Sequence, residues 1–268
     1  MHKTLRHKKP KLGQHFLRNT EILERIVKVA EINPNDKVVE IGAGMGDLTE
    51  ILLKNSKEVI AIEIDPMLFK ILKERFYGKE NLKLVNQNAL NFPYEEIGNF
   101  KVVANIPYYI TKPIIFRLLE VKNLISMTLT IQKEVAERII AKPSTKAYSA
   151  LSIIAQYYTQ PEIKFYIPAR FFSPPPKVDS AVIKMKKRDK APVCVIDEKL
   201  FFRVIKSAFG QRRKIISNSL KSIIDEPKEF LTKIGIEPTK RAEELSIEDF
   251  ALISNELAKF AKDNAKIA

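Results

Sequence analysis

Asn105-Ile106-Pro107-Tyr108 follows the apolar run Val102-Val103-Ala104, so an amide, a rigid proline and an aromatic ring arrive together past a strand end. That combination can hold the amino group of a flat heterocycle while a ring stacks on its face, which points toward methylation of a nucleobase amine. An ordinary turn also suits the tetrapeptide, because proline fixes φ and asparagine bonds its own backbone.

A second group of residues supplies the other half of that chemistry. Glu40-Ile41-Gly42-Ala43-Gly44-Met45-Gly46 joins a strand to a helix. Gly42 and Gly44 there let the backbone approach a ligand and leave helix N–H groups exposed. Glu63 comes 21 positions after Gly42, where a carboxylate can accept both ribose hydroxyls of an adenosine cofactor. The dinucleotide pattern needs a small residue at Asp47, and the third glycine falls one place early at Gly46, which fits methyltransferases better than NAD enzymes. No P-loop motif occurs. Asn88, after the third strand, is placed to reach an adenine edge, or else to serve as a turn asparagine.

These residues need strand ends to hold them. Lys37-Val38-Val39-Glu40-Ile41, Val59-Ile60-Ala61-Ile62, Leu82-Lys83-Leu84-Val85 and Lys101-Val102-Val103-Ala104 read as strands. Helical spacing separates them over 47–54, and again after the Asp65-Pro66 start signal. Such β-α-β alternation predicts an α/β, doubly wound sheet with helices on both faces. Farther on, 127–131 reads as a strand and 133–140 and 148–158 as helices, and 163–167 and 178–185 alternate like paired strands around a stiff Ser173-Pro174-Pro175-Pro176 loop. From Asp197 onward only helical patterns occur, at 200–209, 211–224, 227–234 and 246–260, with Ser246 and Asp249 as a capping box. The texture changes near 187–191, predicting a domain boundary there.

Composition bounds the rest. With 45% hydrophobic residues in 268, the chain can bury a large domain plus a smaller one. No apolar run approaches the roughly 20 residues of a membrane span, and the basic N-terminus has no apolar secretory core. The single cysteine, Cys194, excludes an intramolecular disulfide and a thiolate metal cluster, and the three histidines lie near the N-terminus without ligand spacing. A cytoplasmic, metal-independent protein is expected. The net charge of +14 favours a polyanionic partner. It clusters in an arm with Lys3, Arg6, Lys8, Lys9 and Lys11, and in an acid-free stretch with Arg203, Lys206, Arg212, Arg213, Lys214 and Lys221. A solvated basic surface is the plainer account of the same charges.

Several motifs occur in order: Leu12-Gly13-Gln14-His15-Phe16-Leu17, the glycine loop, Asn105-Ile106-Pro107-Tyr108, Gln132-Lys133-Glu134-Val135, Phe172-Ser173-Pro174-Pro175-Pro176-Lys177-Val178-Asp179-Ser180 and Phe209-Gly210-Gln211-Arg212-Arg213-Lys214. Together they resemble the KsgA-type small-subunit ribosomal RNA adenine N6,N6-dimethyltransferase family, from about Lys11 to Phe260. The resemblance implies a Rossmann-like methyltransferase domain with a mainly parallel sheet at 12–187, preceded by a basic arm at 1–11. A small all-helical domain that binds RNA and ribosome follows at 188–268. It implies S-adenosyl-L-methionine as methyl donor and, as target, two adjacent adenosines in the hairpin loop near the 3′ end of small-subunit RNA, within a small ribosomal subunit. A monomer without membrane attachment is expected.

Position by position, the resemblance puts His15 and Leu17 over the cofactor and Gly42 at its methionine end. It puts Glu63 at the ribose, Asn88 at the adenine, and Asn105 between cofactor and target. The family usually has Asp at Asn88 and often Asn at His15. The amine of adenine is a poor nucleophile, so the site must stabilise a nitrogen that pyramidalises and gains charge. Asn105 and the backbone carbonyl of Ile106 or Pro107 are suited to accept its two hydrogens, with Pro107 holding the turn rigid. Tyr108 would stack on the purine, with Phe172 as a second wall or simply a core aromatic. Arg212, Arg213 and Lys214 would grip RNA backbone from a helix. Two other readings stay open: a large-subunit RNA dimethyltransferase, and a non-catalytic RNA-binding assembly factor.

Overall fold

The computed structural model describes residues 15–211 and 213–267. The basic arm, Leu12-Gly13-Gln14 and Arg212 lie outside the described residues. By its contacts the chain forms two units: one takes the described residues up to Ala136 together with Gln160–Lys187, and the other takes Glu137–Thr159 together with the residues from Arg188 onward.

In the first unit the strands run in chain order β1 (Phe16–Leu17), β2 (Lys37–Ile41), β3 (Glu58–Ile62), β4 (Leu82–Val85), β5 (Phe100–Asn105), β6 (Leu124–Gln132), β7 (Thr159–Ile167), β8 (Phe172–Ser173) and β9 (Ser180–Lys187). The main sheet has the order β4-β3-β2-β5-β6-β9-β7. The pairs β2–β3, β2–β5, β3–β4 and β5–β6 are parallel, and β9 runs antiparallel to β6. This is the doubly wound α/β sheet expected from the alternation, with the mainly parallel pairing that the resemblance implied. Val38, Val39, Glu40 and Ile41 of β2 are all buried, the mark of a central parallel strand covered on both faces. The chain turns back at β2, so β3 and β5 flank it on opposite sides. The crevice at its C-terminal end is where open α/β sheets bind ligands.

Helices over Thr20–Ala30 and Thr111–Leu119 were not foreseen. The first has the needed signals: Asn19 accepts a hydrogen bond from Ile22 N at 2.9 Å, and Leu23, Ile26, Val27 and Ala30 form one buried face. Asp65 caps the helix Pro66–Arg75, accepting from Met67 N at 2.8 Å.

The second unit is helical, apart from the start of β7. Glu198–Gly210 buries Phe201, Val204, Ile205 and Ala208 in a cluster with Ile216, Leu220, Leu231 and Phe250. The helix Ala150–Tyr158 joins that cluster through Ile153 and Tyr157, whose ring centroid lies 5.2 Å from that of Phe201. A single boundary near 187–191 therefore leaves out Glu137–Thr159, which the contacts group with the residues from Arg188 onward. The segment is apolar enough to be buried, but periodicity does not name its partner.

The expected helix over 211–224 is a correction. The helix ends at Gly210, Lys214 N bonds Gln211 O at 2.8 Å, and only Ile216–Ser219 is helical again. Ile215 pairs with Arg241 and Ile216 N donates to Lys240 O at 2.6 Å. These tertiary backbone bonds override helix propensity, so Arg213 and Lys214 stand exposed on a turn. The capping box at the last helix is present, with Ser246 N bonding Asp249 Oδ2 at 2.8 Å and Asp249 N bonding Ser246 Oγ at 3.1 Å.

Candidate active site

Three strand ends and one short two-stranded ribbon build a pocket. Leaving β2, the chain enters the glycine loop with Gly42, Gly44 and Gly46 at φ of +75°, +60° and +90°, a region that disfavours side chains. A Cβ on Gly42 would sit 3.6 Å from the Asn105 carbonyl, and one on Gly44 would sit 3.2 Å from the Phe16 ring. The loop is thus pressed between β5 and β1. Gly46 is tighter still, since a Cβ there would lie 2.5 Å from the Phe76 ring.

Glu63 follows β3 and is almost fully buried. Gly44 N donates to its Oε2 at 2.9 Å and Asp65 N to its Oε1 at 2.9 Å. Burial pushes its pKa up, against the pull of those two amides. The carboxylate is aimed by the backbone and each oxygen keeps a lone pair to offer. Glu40, wholly buried beneath the loop, accepts from Thr49 Oγ1 at 2.5 Å, and burial pushes its pKa up to about 8.

At the end of β5 the Asn105 side chain donates from Nδ2 to the His15 carbonyl at 3.1 Å. A carbonyl only accepts, so the amide nitrogen must face it and Oδ1 is left for another donor. Ile106 N is tied to Thr130 O at 3.2 Å, which fixes the Asn105–Ile106 peptide to β6. The Pro107 carbonyl already accepts from Ile110 N at 3.1 Å and Thr111 Oγ1 at 3.3 Å, as the chain turns into the next helix. Of the two backbone carbonyls considered from sequence, Ile106 is the one without a described partner. Tyr108 is half-buried, its hydroxyl 2.9 Å from Ser180 Oγ and its ring centroid 5.5 Å from the His15 ring. Burial raises its pKa.

The ribbon closes the site. β1 and β8 pair antiparallel, with Phe16 opposite Ser173 and Leu17 opposite Phe172. His15 Nδ1 donates to the Pro174 carbonyl at 2.7 Å. Residues more than 150 positions apart thereby meet over Asn105.

His15, Leu17, Gly42, Gly44, Glu63, Asn88, Asn105, Pro107, Tyr108 and Phe172, all named from the sequence, line this one pocket. Asn88 lines the pocket, and it is the turn asparagine of its other reading: its Oδ1 accepts from Leu90 N at 3.0 Å. Phe172 likewise lines the pocket while being 4% exposed in the hydrophobic core. Sequence reasoning passed over Phe16, Ile64 and Tyr109, which also line it. Ile64, directly after the strand-end carboxylate, and Tyr109, doubling Tyr108, are 44% and 54% exposed, an apolar excess beside a polar motif that was the available signal. Burial raises the pKa of Tyr109, and the Glu63 charge adds to it. Among the described residues no group of three metal-ligating side chains occurs, and no helix is long and apolar enough to cross a membrane.

The family model for ribosomal RNA adenine dimethylase matches residues 5–259. A ribosomal RNA small subunit methyltransferase A from Bacillus cytotoxicus is 46% identical over 265 residues, covering 93% of this chain and 91% of the relative. One of the same name from Caldanaerobacter subterraneus subsp. tengcongensis is 45% identical over 95% of this chain and 99% of the relative. Among solved structures, a dimethyladenosine transferase from Plasmodium falciparum is similar with a TM-score of 0.78 at 28% identity, covering 93% of this chain and 98% of that one. The 23S rRNA methyltransferase ErmE follows with a TM-score of 0.71 at 27% identity, covering 91% and 99%. With its strand order, its pocket and a matching family model over nearly its whole length, the chain belongs to the ribosomal RNA adenine dimethylase family.

Proposed function

We propose that the protein dimethylates N6 of two adjacent adenosines in the 3′-terminal hairpin loop of small-subunit ribosomal RNA, using S-adenosyl-L-methionine, during ribosome biogenesis in the cytoplasm. The observation that carries this reading is the Asn105 amide, whose Nδ2 is held by His15 O, leaving Oδ1 as its acceptor, in a residue that lines the pocket together with Tyr108.

The pocket fits the cofactor. Gly42 and Gly44 leave a cradle without side chains, Glu63 presents two aimed oxygens for a ribose diol, and Asn88 lies where an adenine edge would come. His15 and Leu17 form the cover. When bound, S-adenosyl-L-methionine supplies an electrophilic methyl on a positively charged sulfur.

The chain's own groups then act on the amine. Asn105 Oδ1 and the Ile106 carbonyl accept its two hydrogens, which favours the pyramidal, positively charged nitrogen of the transition state over the flat conjugated one. Pro107 holds that carbonyl pair at fixed spacing. Tyr108, pinned through Ser180, stacks on the purine and aims its nitrogen, with Phe172 as the facing wall. The methylated ammonium is acidic enough to lose its proton without a dedicated base. A hairpin-loop adenine is already partly unstacked, which lowers the cost of bringing it in. The helical unit binds RNA, with Arg213 and Lys214 exposed for phosphate contacts. The protein works as a monomer on an assembled small-subunit precursor.

The names of the relatives from Bacillus and Caldanaerobacter support the small subunit over the large. Likeness to a 23S rRNA enzyme keeps the large subunit as the rival. Incubation with labelled S-adenosyl-L-methionine and separate under-methylated small and large subunits, then mapping of modified adenosines, decides between them. Dimethylated neighbours in the small-subunit hairpin are expected, and label on large-subunit RNA alone would overturn the reading.

A further inference from the structure

The helix Pro66–Arg75 ends in a side chain that grips the glycine loop. Arg75 Nη1 donates to the Met45 carbonyl at 2.6 Å and to Asp47 Oδ1 at 2.8 Å, and Nη2 donates to Glu50 Oε2 at 2.8 Å. Phe76, the next residue, fills the space a Gly46 side chain would need. Met45 and Asp47 line the pocket, whereas Arg75 does not. One guanidinium fork therefore spans the last residues of the loop and the first turn of the helix that follows it.

We infer that Arg75 is a positioning residue for the cofactor: it holds Met45–Asp47 in the conformation that receives S-adenosyl-L-methionine. This rests on the reading of the pocket given above. The loop around Met45 runs through Gly44 and Gly46 at positive φ, and glycines are the residues that lose most freedom when ordered. Without a clamp, that ordering would be charged against ligand binding, and pre-organisation removes the cost beforehand. Arg75 is suited to the task because its planar fork satisfies a carbonyl and two carboxylates at once. The side chains of Arg75, Asp47 and Glu50 are 32%, 30% and 48% exposed, and such ion pairs contribute little to folding. The consequence belongs to binding rather than to stability.

A matched control exists within the same unit. Arg117 makes a bidentate pair with Glu95 at 2.7 and 2.8 Å, of similar exposure, and neither residue lines the pocket. The experiment measures calorimetric binding of S-adenosyl-L-methionine and S-adenosylhomocysteine to the full chain, wild type, Arg75→Met, Arg75→Lys, Glu50→Gln and Arg117→Met. Hydrogen exchange of the Met45–Asp47 amides is read without ligand.

Arg75→Met is expected to weaken both ligands about tenfold and to speed exchange in the loop, with turnover at saturating cofactor changed far less than its KM. Arg75→Lys, a point charge that cannot fork, recovers part of the loss. Arg117→Met leaves both ligands as in wild type. Should Arg75→Met fail to fold, Glu50→Gln takes the charge from one arm and leaves a neutral acceptor, and is expected to weaken binding about threefold. Binding in the Arg75 or Glu50 variant no weaker than in Arg117→Met would overturn the inference. A wild-type chain that binds neither ligand overturns the reading of the pocket as well, so the two failures are told apart.

Discussion

The amide of Asn105 is bonded to the backbone of His15, 3.1 Å away in space and 90 positions earlier in the chain. That bond decides which end of the amide meets a ligand. Asn105→Ala removes the acceptor and Asn105→Asp sets a carboxylate against a carbonyl, so both are expected to lose methyl transfer by about 100-fold or more. Cofactor binding should weaken only moderately in the alanine variant. Labelled methyl incorporation into under-methylated small subunits is the measurement, and wild-type turnover in either variant would refute the assigned role.

Tyr108 should matter through its ring. Tyr108→Phe loses the bond to Ser180 and should cost about two- to tenfold, the worth of one neutral hydrogen bond. Tyr108→Ala also loses stacking worth about 1–3 kcal/mol, so its rate should fall roughly a further 5- to 150-fold. Equal losses in a kinetic comparison of the two variants would disprove the stacking role.

Glu40 predicts a pH dependence of stability. Its folded pKa of about 8 lies above its ordinary 4.5 because burial penalises the charge. Between those values the unfolded chain has released a proton that the folded chain still holds, so stability falls as pH rises from about 4.5 to about 8 and then levels. Glu40→Gln keeps an acceptor for Thr49 and should flatten that fall. Urea unfolding of both proteins at pH 5, 6.5 and 8 tests it, and parallel curves would show that Glu40 does not carry the effect.

Arg213 and Lys214 should bind phosphate rather than read bases. Replacing each with Gln is expected to lower the slope of log affinity against log salt by about 0.7–0.9 per contact, and to do so alike on related RNA sequences. Filter binding to a small-subunit RNA fragment over a range of salt measures this. An unchanged slope would remove the pair from the interface.

Much of the cofactor half was legible because its parts are local. Gly42, Gly44 and Glu63 belong to one β-α-β unit, in which periodicity gives the strands and glycine gives the loop. The helix Thr20–Ala30 was legible too, with its Asn19 cap and buried face, but went unread beside the stronger glycine signal. Phe172 was ambiguous for a physical reason: a half-apolar pocket built on a core needs a residue that belongs to both.

By itself the sequence determined the order of strands and helices, the glycine cradle, the carboxylate at Glu63 and the family to which these belong. Only the tertiary structure decided that β1 pairs with β8 so that His15 meets Pro174 beside Asn105, and that the Pro107 carbonyl is occupied whereas, among the described residues, that of Ile106 has no partner. It also decided that Arg213 and Lys214 leave the helix for a turn, and that Ala150–Tyr158 packs with the C-terminal helices. Propensity and spacing act over a few residues, whereas each of these outcomes depends on a backbone group or apolar face finding a partner far along the chain. Which partner it finds is set by the whole fold.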